Sequence, residues 1–318
     1  MESPKTLQDA IIFFSNPDNC IDYIVMQRWP DGVVVCPTCG RKDVSWLAKQ
    51  HKWQCKSKHE KRQFSAKVGT IFEDSPLPLD KWLMAAWMLT NCKNGVSSYE
   101  IAKAIGITQK SAWFMLHRLR AAMKDEFPPK IGGSSKNPVE VDETVIGGRP
   151  QLMKQARRAR YNQGEKKTVV MGMLARDTRE VRAMVIPNVK RETLHRRIFD
   201  GVDLGAHVYT DEFSSYDGLD ATNVFVHKTV CHLREYVNGK VHTQGIENFW
   251  SLLKRGLAGT YVAVEPFHLD RYVDEQVFRY NNRRNKNDGD RMRKLLSQIA
   301  GKRLTLAEVT GKVGQTAF

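Results

Sequence analysis

The sequence predicts an α/β protein in which a mixed β-sheet flanked by helices is preceded by two smaller regions. Three observations support this prediction. Between residues 138 and 257, strand-like and helix-like patterns alternate along the chain. Near the N-terminus, two pairs of Cys and His residues flank a β-rich segment. Between these regions, two apolar helical stretches are separated by a turn that contains glycine.

Composition limits the classes of partner. The chain has 318 residues, enough for two or three domains, and a net charge of +15 with a pI near 9.6. This charge favours a polyanion, and nucleic acid is favoured over an anionic membrane because no lipidation motif is present. The longest apolar run, Trp82–Leu89, is far shorter than the roughly 20 residues that span a bilayer. The scattered cysteines fit a reducing compartment, so we expect an intracellular protein without a membrane partner.

The N-terminal region combines a helical segment, residues 1–30, with a cysteine-rich segment, residues 31–75. Tetrahedral Zn²⁺ requires four nitrogen or sulfur ligands. A C-x2-C pair and a second Cys/His pair on either side of β-rich residues satisfy this requirement, which predicts a zinc ribbon with a structural Zn²⁺. The predicted ligands are Cys36, Cys39, Cys55 and His59. His51 is the alternative to His59 as the fourth ligand.

Residues 76–127 are predicted to form a helix-turn-helix region. Ser97–Glu100 is a capping box that begins one helix, Gly106 ends it, and Thr108 caps the next. The alternative is a plain helical hairpin, but the basic charge of the chain favours DNA binding, with the second helix in the major groove. The side chains predicted to face DNA are Gln109, Lys110, Ser111, Trp113 and Arg118.

After a linker at residues 128–137, two strand-like stretches each deliver a carboxylate. Val139 and Val141 mark the first strand, and Asp142 lies on it in the opposite phase. In the second stretch, Asp211 ends the β run 208–210. An acid at the mid-strand position of Asp142 has no evident structural role. Because Asp211 is delivered in a similar way by the end of a second strand, both residues are candidates for a functional site.

A third acid lies on an amphipathic helix that begins near His242. Apolar residues recur at helical spacing from Ile246 to Leu257 and form one stripe. Glu247 and Lys254 are seven residues apart on one flank of this stripe, about 10 Å apart along a helix axis. The alternative is that both are solvated surface residues.

The remaining pattern completes a recognisable order of elements. We predict a hairpin over residues 167–186, a helix over 192–199 and a strand over 224–230. Strand, hairpin, helix, strand, strand and helix is the order of a ribonuclease-H-like core, here residues 138–290. In that fold the first and fourth strands are neighbours, which would bring Asp142 and Asp211 together. Residues 291–318 are predicted to be a basic C-terminal tail with one short helix.

Four motifs give the chain a resemblance to a known family. They are Val141-Asp-Glu-Thr-Val-Ile-Gly-Gly148, Tyr209-Thr-Asp-Glu-Phe-Ser-Ser-Tyr216, the Glu247 helix through Gly256, and His268-Leu-Asp-Arg-Tyr272 with Phe278-Arg-Tyr-Asn-Asn-Arg283. Together with the predicted zinc ribbon, they resemble bacterial insertion-sequence transposases that have an acidic-triad (DDE) core. The subgroup is the ISXO type, which is related to the eukaryotic Merlin elements.

The resemblance implies an activity and a set of site residues. It implies that Asp142, Asp211 and Glu247 bind two Mg²⁺ ions, with Mn²⁺ as a substitute, and that Lys254 contacts a phosphate near the cleaved end. Such enzymes cut and rejoin double-stranded DNA at the element's terminal inverted repeats and at a target. They act as homodimers or larger assemblies and use no nucleotide cofactor, and the expected location is the bacterial cytoplasm, associated with the nucleoid.

Several alternatives remain open at this stage. Glu140 shares a strand face with Asp142, and Asn248 adjoins Glu247, so either could replace the preferred ligand. Arg157 and Arg158, in a basic run at residues 154–167, and Arg255 are predicted DNA contacts, although a charge run is usually a solvated face. The alternative functions are a catalytically inactive DNA-binding regulator and a nuclease that does not join DNA.

Overall fold

The computed structural model describes residues 4–133, 135, 137–147, 155, 167–221, 224–230, 242–285 and 287–312. The chain divides into two compact units. Met1–Asp125 and Arg284–Phe318 form the first unit, and Glu126–Arg283 forms the second.

The first unit begins with helices and a small sheet. Its first two helices are Leu7–Phe14 and Pro17–Arg28, which confirms the helical prediction for this segment. Each has an N-cap side chain, Thr6 and Asn16 respectively, that accepts a backbone hydrogen bond from the first turn. A three-stranded antiparallel sheet follows, made of β1 (Val44–Leu47), β2 (Lys52–Cys55) and β3 (Gln63–Phe64).

Three further helices of this unit follow the sheet. They are Leu79–Asn91, Ser98–Ile105 and Gln109–Met123. The predicted capping box is present, since Ser97 and Glu100 exchange side-chain and backbone hydrogen bonds. Gly106 ends its helix with a φ of 66°, which a residue with a side chain rarely adopts. The structure therefore contains the predicted pair of helices joined by a turn at Gly106.

The second unit is built on a five-stranded mixed sheet. The strands are β4 (Val139–Ile146), β5 (Thr168–Ala175), β6 (Val181–Ile186), β7 (His207–Asp211) and β8 (Val226–Val230). Their order across the sheet is β6-β5-β4-β7-β8. β4, β5 and β6 are antiparallel, whereas β4, β7 and β8 are parallel. This topology confirms the predicted ribonuclease-H-like core, with its first and fourth strands adjacent.

Helices cover both faces of this sheet. The helix Arg191–Gly201 packs on one face through Leu194 and Ile198. The helix Gln244–Gly256, called the Glu247 helix below, packs on the other face together with the helix Leu269–Asn281. The apolar stripe predicted for the Glu247 helix is buried as expected. The buried members are Ile246, Phe249, Trp250 and Leu253.

The C-terminal segment, predicted to be a basic tail with one short helix, has more structure than this. It contains two helices, Asp288–Leu296 and Leu306–Thr310. The first packs against the helix Leu79–Asn91 and buries Met292, Leu295 and Leu296. The segment therefore folds as part of the first unit, because its apolar face is buried there. Among the residues that the structure describes, no helix has the length and apolar character needed to span a membrane.

Candidate functional site

The first unit brings four metal-binding side chains together. The ligand atoms of Cys36, Cys39, Cys55 and His59 all lie within 4.8 Å of one another. Cys36 Sγ is 3.5 Å from His59 Nε2, and Cys39 Sγ is 3.6 Å from Cys55 Sγ. Three thiols and one imidazole are the donor set of a structural zinc site.

Local backbone geometry arranges these ligands. Cys36 and Cys39 lie on a tight turn, in which Gly40 N donates to Cys36 O over 2.9 Å. The turn requires a φ of 72° at Gly40, which glycine adopts without strain. Cys55 ends β2 and faces this turn. His51, the alternative ligand, is outside the cluster, and its Nδ1 lies 3.4 Å from Asp18 Oδ1. The geometry therefore favours His59 over His51.

In the second unit, two carboxylates lie at the same level on neighbouring strands. β4 and β7 are parallel, and Glu140 pairs with Tyr209. Two residues further along each strand are Asp142 and Asp211. Neighbouring strands are about 4.8 Å apart, so this register holds the two side chains on adjacent positions of one sheet face. Phe213 N donates to Asp211 Oδ1 over 3.2 Å and orients that carboxylate.

The third acid lies on the helix that covers this face. Glu247 is exposed in the first turn of its helix, where Thr243 Oγ1 donates to Glu247 Oε1 over 3.0 Å. One turn later, Trp250 Nε1 donates to Asp142 Oδ2 over 2.9 Å. This hydrogen bond joins the helix that carries the third acid directly to the first acid.

The electrostatics of Asp142 reflect its acidic neighbours. Burial raises the pKa of Asp142 to about 6, from an ordinary value of 3.8. Negative charge on Asp211 and Glu247 raises it as well, whereas the Trp250 hydrogen bond lowers it. All three carboxylates are therefore close enough for their charges to interact, and a cation between them would relieve the repulsion.

The chemistry of the three acids suits divalent cations. Pairs of such ions, about 4 Å apart, are common at sites of phosphoryl transfer. Hard carboxylate oxygens are the ligands that Mg²⁺ and Mn²⁺ prefer. The donor set therefore fits a pair of divalent cations.

Glu140, which the sequence left open as an alternative ligand, is occupied by protein groups. It is 0% exposed, and its Oε1 accepts a 2.6 Å hydrogen bond from Arg176 Nε. Its Oε2 accepts from Ile246 N over 3.0 Å. Protein donors therefore hold both oxygens of Glu140, and the side chain is not exposed to solvent.

Some site residues were missed by sequence reasoning. Trp250 was identified only as an apolar residue, although its indole N–H contacts Asp142. Glu143, the neighbour of Asp142, receives a hydrogen bond from Tyr216 OH, and burial raises its pKa to about 7. The motifs that contain Glu143 and Tyr216 were visible in the sequence, but the contact between them depends on the fold.

Comparison with known proteins matches the regions of the chain that contain the two sites. The family model described as the ISXO2-like transposase domain matches residues 134–281, and the model of the transposase zinc-ribbon domain matches residues 15–59. An uncharacterized transposase-like protein of Haemophilus influenzae is 35% identical over 103 residues, which cover 32% of this chain and 82% of that protein. The chain belongs to the ISXO2-like transposase family.

A second relative extends this family similarity over most of the chain. It is an uncharacterized protein in transposable element ISH50 of Halobacterium salinarum, 29% identical over 244 residues, or 73% of this chain and 80% of that protein. The zinc-ribbon match and the cluster of three Cys and one His together support a structural zinc in this transposase family member.

Two solved structures give weak overall superpositions. The catalytic core domain of BIV integrase has a TM-score of 0.29 and 15% identity, and the match covers 46% of this chain and 82% of that chain. A chain of the simian T-cell lymphotropic virus intasome, in complex with PP2A regulatory subunit B56 gamma, has a TM-score of 0.30 and 11% identity. This match covers 61% of this chain and 67% of that chain. The fold assignment therefore depends on the strand order described above.

The residues predicted to contact DNA differ in exposure. In the second helix of the helical pair, Lys110 is exposed, whereas Gln109, Ser111 and Trp113 are half-buried. Arg118 is only 3% exposed, and its Nη2 donates to Glu73 O over 2.6 Å. Its burial contradicts the prediction that Arg118 faces DNA.

The physical reason is that the guanidinium of Arg118 has a hydrogen-bond acceptor and two aromatic rings beside it. Its guanidinium lies 5.2 Å from the ring centre of Phe114 and 5.8 Å from that of Trp82. Helical spacing alone could not distinguish a cation that packs inward from one that faces solvent. In the second unit Lys254 and Arg255 are exposed, and Arg157 and Arg158 lie outside the described residues.

Proposed function

We propose that this chain catalyses metal-dependent cleavage and transfer of DNA strands at the terminal inverted repeats of an insertion sequence. The observation that carries the proposal is the meeting of three acids from distant parts of the chain. Asp142 and Asp211 lie level on adjacent parallel strands, and the helix of Glu247 is hydrogen-bonded to Asp142. Membership of a transposase family supports the same function.

In this proposal Asp142, Asp211 and Glu247 hold two Mg²⁺ ions. Such a pair supplies an activated water or hydroxyl nucleophile and stabilises the attacking and leaving oxygens of phosphoryl transfer. The protein orients the carboxylates in advance. One oxygen of each acid accepts a hydrogen bond, from Trp250, Phe213 N and Thr243 respectively. This preorganisation reduces the cost of assembling the site when the substrate binds.

The exposed cations supply the substrate contacts. Lys254 and Arg255 lie about two turns beyond Glu247 and are exposed. There they can pair with phosphates near the cleaved end while the acids act on the scissile bond. In the first unit, the helix Gln109–Met123 is proposed to bind the terminal repeat through exposed residues such as Lys110. The net charge of +15 supports binding to the polyanionic backbone.

The proposal is tested with Asp211→Asn, because asparagine keeps an oxygen that can accept from Phe213 N. We expect DNA binding to persist while Mg²⁺-dependent cleavage falls about a hundredfold or more, as loss of a metal ligand predicts. The matched control is Glu212→Gln, which neutralises the adjacent exposed acid and should retain cleavage. Binding is measured by mobility shift and cleavage on a labelled element end.

Other outcomes would identify the rival functions. A wild-type protein that binds end DNA but cleaves none with Mg²⁺ or Mn²⁺ would be a DNA-binding regulator. Cleavage without joining of the cut end to a second duplex would identify a nuclease. Equal cleavage by the wild type and Asp211→Asn would contradict the assignment of Asp211 to the metal site.

A further inference from the structure

A buried carboxylate outside the acidic triad connects the Glu247 helix to the central strand. Glu140 is 0% exposed and precedes Asp142 by two residues on β4, so both side chains lie on the face that the helix covers. Glu140 Oε2 accepts a hydrogen bond from Ile246 N, in the first turn of the Glu247 helix. The first N–H groups of a helix have no partner within it and favour a negative charge. Glu140 supplies that charge from another element.

Arg176, which follows β5, completes the connection. Its Nε donates to Glu140 Oε1 over 2.6 Å, and its Nη2 donates to His242 O over 2.5 Å. Its guanidinium also lies 5.2 Å from the ring centre of Tyr209, on β7. One cation therefore contacts the strands of both aspartates and the segment that leads into the helix of the third acid.

The helix is shaped for this close approach. A Cβ atom added at Gly245 would lie 2.7 Å from Glu140 Oε2 and 3.1 Å from Leu174 Cδ2. A larger residue at this position would push the first turn of the helix away from the carboxylate. A buried ion pair is often no more stabilising than apolar residues of the same volume, so overall stability alone is a weak reason for it. Its geometric effect is to fix where the helix starts, immediately before Glu247.

We propose that Glu140, held by Arg176, is a positioning residue that sets the place of Glu247 relative to Asp142. This inference rests on the proposed function, since it assigns Glu140 a role in a metal site formed by the triad. It predicts that neutralising Glu140 weakens divalent-cation binding even though Glu140 is not a ligand. Groups that orient metal ligands typically change metal affinity by about 10- to 100-fold when they are mutated.

The test compares Glu140→Gln with Glu275→Gln in the full-length protein. Glu275 is also 0% exposed and pairs with an arginine, Arg279, but it lies on the helix Leu269–Asn281. For Glu140→Gln we expect the Mg²⁺ concentration that gives half-maximal cleavage to rise about tenfold or more, with activity recovered at high Mg²⁺. Amide hydrogen exchange at Ile246 and Glu247, measured without metal, should also become faster. Glu275→Gln should change neither quantity, whatever its melting temperature.

Two further results separate this inference from the proposed function. If the wild type shows no Mg²⁺- or Mn²⁺-dependent cleavage, the proposed function fails, and the exchange measurement still decides whether Glu140 anchors the helix. Equal changes in Glu140→Gln and Glu275→Gln, or no change in either quantity for Glu140→Gln, would overturn the inference. If Glu140→Gln does not fold, Arg176→Lys is used instead, because it keeps the charge but lacks the planar guanidinium that donates to Glu140 and His242 from two separate nitrogens. It should change both quantities in the same direction.

Discussion

At the scale of single residues, Trp250 combines packing with orientation of a functional group. Its ring belongs to the buried cluster between the Glu247 helix and the sheet, and the residue is only 4% exposed. Its single polar atom, Nε1, donates to Asp142 Oδ2. A tryptophan can therefore fill the core and fix one carboxylate at the same time, which no aliphatic residue could do.

Replacing Trp250 with phenylalanine removes the donor and keeps most of the apolar ring. The hydrogen bond stabilises the charged form of Asp142 and so lowers its pKa, which burial has raised to about 6. Without the bond, the pKa of Asp142 should rise further, and protons should compete with metal ions up to a higher pH. We expect the acid limb of the pH profile of Mg²⁺-dependent cleavage to shift to higher pH in Trp250→Phe.

The matched control is Trp82→Phe in the first unit. Trp82 is also buried, and its Nε1 donates to Ser75 Oγ over 3.1 Å, so this variant loses a similar bond without changing the acids. Its cleavage profile should coincide with that of the wild type. The profile is measured from about pH 5 to about pH 9, a range that includes the pKa of Asp142. An unshifted profile for Trp250→Phe would show that this bond does not control the ionisation of Asp142.

At the scale of elements, the closeness of the Glu247 helix to the sheet depends on Gly172. This residue lies on β5 directly opposite Asp142. A Cβ atom there would lie 2.6 Å from Trp250 and 2.8 Å from Ile246 Cδ1, and neither ring nor helix can yield easily. The absent side chain is therefore a condition for the contact between the helix and the first acid.

Gly172→Ala should consequently move the helix away from the sheet. We expect a loss of about 1–3 kcal/mol in the free energy of unfolding, the usual cost of overpacking a core. We also expect a higher Mg²⁺ requirement for cleavage. Gly201→Ala is the control, because its Cβ would meet the flexible end of Met173 at 2.7 Å on the other face of the sheet. Denaturant unfolding should show a clearly smaller loss for Gly201→Ala, and equal losses would contradict this explanation.

The same elements indicate how far the sequence predicts the site. The apolar stripe of the Glu247 helix and the alternation of β4 are periodic, so local patterns were sufficient to predict both elements and the exposed position of Glu247. The partners of Glu140 were not predictable, since Ile246 lies 106 residues away. The prediction that Arg118 faces DNA was wrong for a related reason, because helical spacing does not reveal which cations pack inward.

At the scale of the whole molecule, two units with separate cores carry two different kinds of candidate metal ligands. The unit of Met1–Asp125 and Arg284–Phe318 contains the cluster of thiols and imidazole, whereas the unit Glu126–Arg283 contains the carboxylates. The C-terminal helices belong to the first unit although they follow the second in sequence. Sequence order could not predict this return, because the burial of Met292 and Leu295 depends on contacts with distant residues.

This division predicts distinct effects of zinc removal. A structural zinc contributes its binding free energy to folding, so a strong chelator should lower the melting transition of the first unit and leave that of the second unchanged. His59→Ala should reproduce the effect and reduce the bound zinc measured by elemental analysis. His51→Ala should retain the zinc, because His51 lies outside the cluster and its Nδ1 lies 3.4 Å from Asp18 Oδ1. Equal zinc loss in both variants would contradict the assignment of His59, and a chelator effect on both transitions would contradict the independence of the two units.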